Sequence, residues 1–187
     1  MIVYTAIFNN YDLLQSPPVA VEGVRYVCIT DEAPLKRNGW DIHLVDRPLV
    51  PHPYIQRSYK ILAHRVFPDA DVSLYLDGTF ELLVDPRRLA DRYLTDADLA
   101  LFRHPQRDGV YAELSACEDL GKERREITTL AEERYRAQGM PETGYLHAAG
   151  VLIRRHTDQV AEFNERWMTE LLDSSVRDQP ALANTLW

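Results

Sequence analysis

Val72-Ser73-Leu74-Tyr75-Leu76-Asp77-Gly78-Thr79 (VSLYLDGT) is the stretch on which the reading of this chain turns. An apolar run of strand formers stops abruptly on an acid and a glycine, as a buried strand does when it hands a carboxylate to a loop. Residues 2–8 (IVYTAIF) are a similar run, ended by the turn formers Asn9-Asn10, and residues 24–30 (VRYVCIT) are another, closed by Asp31. Residues 40–45 (WDIHLV) alternate apolar and polar as a half-buried strand does, and residues 99–102 and 150–153 are two further short runs. Between these lie helix patterns. Residues 57–67 place Tyr59, Leu62, Ala63, Val66 and Phe67 on one face before Pro68, while 112–120, 123–138, 157–172 and 178–186 form a more helical second half. Strands alternating with helices predict an α/β fold, a mainly parallel sheet flanked by helices, in a single domain over residues 1–187. Such sheets bind ligands beyond the carboxyl ends of their strands, which directs attention to the polar strand endings.

Composition narrows the partners. The 187 residues are 45% apolar and 27% charged with a net charge of −8, values that exclude disorder, coiled coil and a collagen-like chain. An acidic surplus disfavours a nucleic acid polymer as partner but leaves room for one small anion on a local basic patch. Cys28 and Cys117 stand alone, without CxxC spacing, and read as reduced cysteines instead of a zinc or disulfide framework. No apolar stretch approaches the ~18 residues of a membrane span, and the first residues lack the basic flank of a signal peptide; a cytoplasmic location is the expectation.

Arg57 and Lys60 lie three apart and so share a helix face, which makes them the candidate basic patch. With a helix starting near Arg57, both would stand by an N-terminus, itself favourable to phosphate. The alternative is a solvated surface pair. The Asp77 ending is compatible with two chemistries. A dehalogenase-type phosphatase needs an aspartyl nucleophile two residues earlier, where Tyr75 stands and cannot form an acyl phosphate. A nucleotidyltransferase normally shows a glycine-rich loop after the first strand, where this chain has Asn9-Asn10-Tyr11-Asp12. In glycosyltransferases of GT-A type, an acid at this place binds a divalent metal that bridges the diphosphate of a sugar nucleotide. Here Asp77 keeps that acid, and Thr79 stands where a second one is expected.

The order of the remaining pieces resembles the TOD/MUCI-type glycosyltransferase-like domain family, which is GT-A-related. The pieces are Tyr4–Phe8 with Tyr11-Asp12, residues 26–31 followed by Trp40, Gln56-Arg57-Ser58-Tyr59-Lys60, Leu74–Gly78, His104-Pro105 with Arg107 and Tyr111-Ala112-Glu113, and Arg177-Asp178-Gln179. They run from residue 4 to residue 179. The resemblance implies transfer of a sugar from a nucleotide-sugar donor, with UDP as the default, to a carbohydrate or small-molecule acceptor. It implies a nucleoside site lined by Phe8 and Asn9, with Tyr11 packing on the base and Asp31 accepting from base or ribose; a turn or helix cap is the other reading of Asp31. The diphosphate falls to Arg57 and Lys60, and a divalent cation, Mn2+ or Mg2+, to Asp77. Asp77, Gly78, His104, His147 and Gln179 are the candidate sugar contacts. Asp178 is the candidate catalytic acid or sugar-orienting group, and Glu113 a candidate general base. A fold of this kind that has lost catalysis and binds sugar nucleotides or glycans as a scaffold is the alternative function.

Overall fold

The computed structural model describes residues 1–16, 20–33, 36–46, 51–174 and 177–187. The chain forms two compact units, residues 1–100 with 150–161, and residues 101–149 with 162–187. The strands are β1 (Ile2–Ile7), β2 (Arg25–Thr30), β3 (Asp41–Leu44), β4 (Val72–Leu76), β5 (Leu99–Arg103) and β6 (His147–Arg155), in the sheet order β3-β2-β1-β4-β6-β5. β1 pairs in parallel with both β2 and β4, and β2 with β3; β6 returns antiparallel to β4. The expected mainly parallel α/β sheet is therefore the architecture observed. All six residues of β1 are buried, and so are five of six in β2 and four of five in β4. Such unbroken apolar runs belong to strands covered on both faces. Because β2, β1 and β4 are adjacent and parallel, their carboxyl ends share one edge, with Thr30-Asp31, Ile7-Phe8-Asn9 and Leu76-Asp77 side by side.

The first unit's core joins Val3, Ile7, Tyr26, Cys28, Leu74, Leu76 and Ile153, with Trp40, Leu82 and Leu94 packed in. Tyr4 meets Tyr75 edge-on, with ring centroids 5.1 Å apart, and meets Phe67 at 5.0 Å. Burial raises the Cys28 thiol to about 12 and leaves it inert. Helix α1 (His52–Ile61) begins at His52, not at Arg57 as the residue 57–67 pattern suggests. Pro51 and Pro53 start it, because a proline in the first turn forgoes only an amide that has no intrahelical acceptor. The helix breaks at Leu62 (φ −89°, ψ 44°) before the short α2 (Ala63–Val66). Arg57 thus lies in mid-helix and Lys60 in the last turn, so the expectation that this pair stands at a helix N-terminus is corrected. Helix α3 (Pro86–Tyr93) is an element the periodicity missed; Asp85 caps it by accepting from the Arg87 amide at 2.9 Å.

The second unit is mainly helical: α4 (Val110–Asp119), α5 (Arg125–Gln138), most of α6 (Asp158–Ser174) and α7 (Asp178–Leu186). Val110, Tyr111, Leu114, Ala131, Tyr135, Met140, Leu146 and Ala183 make its core. Gly139 ends α5 in the left-handed region at φ 86°, as its place after Gln138 predicts. Gly109 is fixed by space: a Cβ there would lie 1.9 Å from the Glu142 carbonyl oxygen. Among the described residues no helix is long and apolar enough to cross a membrane.

Candidate functional site

The first unit gathers several candidate functional side chains at the carboxyl edge of β1 and β4. The Lys60 side chain is almost wholly buried, and its Nζ lies 3.2 Å from Asp77 Oδ1, while Asp77 itself stays one-third exposed. Tyr75 Oη donates to the same Oδ1 at 2.8 Å and accepts from Gln56 Nε2 at 2.7 Å. The Lys60 ammonium also lies 5.1 Å from the Tyr75 ring centroid, within cation–π range. Helix α1 thus reaches down with Gln56 and Lys60, one turn apart, to grip the end of β4. Arg57 is buried in the same helix, with Nη1 donating to the Pro53 carbonyl at 2.9 Å, which ties it to its own first turn.

Gly78 lets a second acid in. A Cβ at this position would lie 2.6 Å from the Asp12 Cβ and 3.0 Å from Asp12 Oδ2, so only glycine leaves Asp12 room over the end of β4. Burial, and then the nearby Asp77 charge, hold the Asp12 carboxyl above the usual carboxylate range. Gly150 has the same effect on the other side, where a Cβ would meet the Phe80 ring at 2.7 Å and Asp77 Oδ2 at 3.1 Å. Among the described residues no three His, Cys, Asp or Glu side chains cluster as a complete metal site. The Asp12–Asp77 pair is nevertheless of the kind a Mg2+ or Mn2+ ion accepts: hard carboxylate oxygens, with water and phosphate oxygens completing the shell.

The expected nucleoside residues divide. Phe8 is buried and stacks on Tyr59 with centroids 5.7 Å apart, so its ring packs within the first unit. The Asp31 side chain is fully buried; Oδ1 accepts from the Asn9 amide at 2.9 Å, and Oδ2 lies 3.6 Å from His52 Nδ1. It braces the loop after β1, as the cap-like reading of this acid expects. Asn9 and Asn10 both take positive φ, 56° and 50°, a conformation asparagine tolerates and the brace holds. Tyr11 is 84% exposed and free to pack on a flat ring.

In the second unit Glu113, in the first turn of α4, is buried and bound by Arg107 Nε at 2.5 Å. Cys117 Sγ donates to its other oxygen at 3.5 Å, and burial raises that thiol to about 11. His104 Nδ1 accepts the amides of Gln106 at 3.3 Å and Arg107 at 3.0 Å, and its Nε2 lies 3.1 Å from Arg107 Nη2 and 3.8 Å from Glu113 Oε2. Burial pulls the His104 pKa down, against the pull of Glu113. Glu113 and His104 therefore knot the loop of residues 104–107 to α4, and a base role for Glu113 requires breaking its Arg107 pair. Asp178 opens α7 and is buried, with its carbonyl accepting from Trp167 Nε1 at 3.0 Å; Gln179 follows half-buried. His147 is the first residue of β6, half-buried, with Nδ1 2.8 Å from the Tyr145 carbonyl oxygen. Tyr145, at φ 60°, holds a conformation rare for a bulky residue.

Three contributors escaped the sequence reading. Asp12 and Gln56 lie inside quoted motifs but show no periodic signal, and Tyr75 reads as one more apolar strand residue until its hydroxyl is seen on Asp77.

The "Probable hexosyltransferase MUCI70" of Arabidopsis thaliana is 30% identical over 207 residues, covering 96% of this chain and 36% of its own length; the chain thus spans about a third of that relative. Among solved structures, the galactosyltransferase LgtC in complex with donor and acceptor sugar analogs superposes with TM-score 0.55 at 17% identity, covering 100% of this chain and 70% of the other. The bifunctional glycosyltransferase WbbM in its apo form gives 0.58 at 12%, covering 99% and 37%. Mouse xyloside xylosyltransferase 1, also apo, gives 0.51 at 13%, covering 97% and 79%. At such identities the likeness speaks for the fold, which is that of GT-A glycosyltransferases. The family model for "TOD1/MUCI70, glycosyltransferase-like domain" matches residues 1–187, and the chain belongs to that family.

Proposed function

We propose that this chain transfers a hexosyl group from a nucleoside diphosphate sugar, UDP being the default nucleotide, to a carbohydrate or small-molecule acceptor. The observation that carries the reading is the Lys60–Asp77–Tyr75 constellation at the shared edge of β1 and β4, with Asp12 brought in over Gly78. In a glycosyl transfer the departing nucleoside diphosphate gathers negative charge, and fixed cations beside it lower the barrier. Lys60 supplies one such cation, already desolvated and fixed beside Asp77. Asp12 and Asp77 are the residues that would hold a divalent cation, whose chemistry when bound is charge neutralisation on the diphosphate. Tyr11, exposed beside the braced loop, offers a face to the base. Gln56, acting through the Tyr75 hydroxyl, holds Asp77 Oδ1 in one orientation. The test is a thermal-shift panel of UDP-, GDP-, TDP- and CMP-sugars with and without Mn2+. A nucleotide that binds raises the midpoint according to RT ln(1 + [L]/Kd). A folded protein that responds to none of them refutes the proposal.

The alternative, a sugar-nucleotide or glycan binding protein without turnover, draws on one observation: the acids Glu113 and Asp178 are both buried, and Glu113 is already neutralised by Arg107. Binding without nucleotide release from any bound donor favours that reading.

A further inference from the structure

Arg154 is a fully buried guanidinium on β6, in register with Ser73 on β4. Its Nη1 donates to the Ile61 carbonyl at 2.9 Å, and its Nη2 to the Lys60 carbonyl at 2.9 Å and to Tyr4 Oη. Tyr4 Oη donates in turn to the Lys60 carbonyl at 2.8 Å. These two carbonyls are the last of α1, where the break at Leu62 redirects the Arg65 amide to the Leu62 oxygen at 2.9 Å instead of Ile61. A continuous helix would satisfy them at no electrostatic cost, whereas placing a guanidinium in the interior costs several kcal/mol before compensation. The negative end of α1 and three oxygen acceptors supply that compensation. The chain has placed a charged fork under the residue whose ammonium grips Asp77.

We infer that Arg154, with Tyr4, is the positioning residue of Lys60: it clamps the Lys60 main chain so that Nζ is held on Asp77 Oδ1 and over the Tyr75 ring. The connection is continuous, from Arg154 and Tyr4 to the Lys60 carbonyl, then along the Lys60 side chain to Asp77. Neither residue touches a ligand in this account, and their effect on donor binding runs through Lys60; in that respect the inference rests on the proposed nucleotide-sugar reading.

Two experiments test it. The chain has three lysines, Lys36, Lys60 and Lys122, and Lys36 and Lys122 are exposed, so they are internal standards for limited acetylation read by mass spectrometry. In the wild type Lys60 is the slow site. Arg154→Lys and the milder Tyr4→Phe are each expected to raise Lys60 labelling about tenfold relative to Lys122, as local opening of the clamp exposes the amine. Unchanged Lys60 labelling in both variants, with native circular dichroism, overturns the inference. The second readout is UDP affinity by calorimetry. Arg154→Lys is expected to weaken UDP about tenfold in the wild-type background and less than twofold in Lys60→Met, since the two act as one unit. Equal losses in both backgrounds would mean a general structural role and overturn it. If the wild type binds no UDP, the nucleotide reading fails, while the labelling result still decides whether Arg154 positions Lys60.

Discussion

Replacing Lys60 by Met removes the ammonium and keeps most of the buried stem, which isolates the charge. At 3.2 Å the Lys60–Asp77 attraction is about 5 kcal/mol at an effective dielectric constant of ~20. Two corrections reduce it. Lys60 regains the cost of its own desolvation when it becomes Met, and Asp77, one-third exposed, is screened by solvent. The net loss of stability expected for Lys60→Met is about 2 kcal/mol, a fall of roughly 4–8 °C in midpoint for a chain of this size. The charge left on Asp77 is the cause, so Lys60→Met with Asp77→Asn should be more stable than Lys60→Met alone by about 1 kcal/mol. Urea denaturation of the four members of this cycle, each fitted for midpoint and slope, gives the coupling directly. Additive losses, or a Lys60→Met protein as stable as wild type, would refute the reasoning that Lys60 and Asp77 form a desolvated pair.

Gly109→Ala places a methyl 1.9 Å from the Glu142 carbonyl oxygen; with backbone on both sides, the loop must move, and a loss of about 2–3 kcal/mol is expected in urea denaturation. Glu113→Gln breaks the Arg107 ion pair inside the second unit and should cost about 2 kcal/mol; the same substitution abolishing turnover at unchanged stability would instead support a base role. Burial, with Arg154 and His64 nearby, pulls the His156 pKa down to about 4. Its folded value is below its unfolded value of ~6.5, so the native state resists protonation. Stability is intact above pH ~6.5 and falls between pH ~6.5 and ~4, by about 1–2 kcal/mol once screening is allowed for. Thermal midpoints measured across that interval should fall less steeply in His156→Asn.

How much of this was legible in the sequence depends on how local each signal is. β1, β2 and β4 are short β-branched or aromatic runs closed by Asn or Asp, and their edge follows from parallel pairing; the resemblance supplied the GT-A fold and the family, and both agree with what was found. The start of α1 was missed because Pro51-His52-Pro53 reads as a loop, whereas a proline in a first turn is also a helix start. The Asp85-Pro86 pair carried the same start signal for α3 and was passed over. Lys60 and Asp77 were placed on one site, but their direct contact depends on where α1 crosses the sheet, which no spacing within either segment encodes. The buried states of Phe8 and Asp31 likewise arise from partners 21 or more residues away, Tyr59, Asn9 and His52. Asp12 entered only through the missing Cβ of Gly78.

The most direct test of the account is nucleotide release. Wild-type protein incubated with UDP-hexoses and Mn2+ should liberate UDP above the enzyme-free rate, and more so when glycan acceptors are added. Asp77→Asn and Lys60→Met should each lower that rate by at least about a hundredfold, the size expected when a fixed charge facing the leaving group is removed. UDP-hexoses that bind yet release no UDP under any condition, or release that persists undiminished in both variants, would contradict a sugar-transfer site at the end of β4.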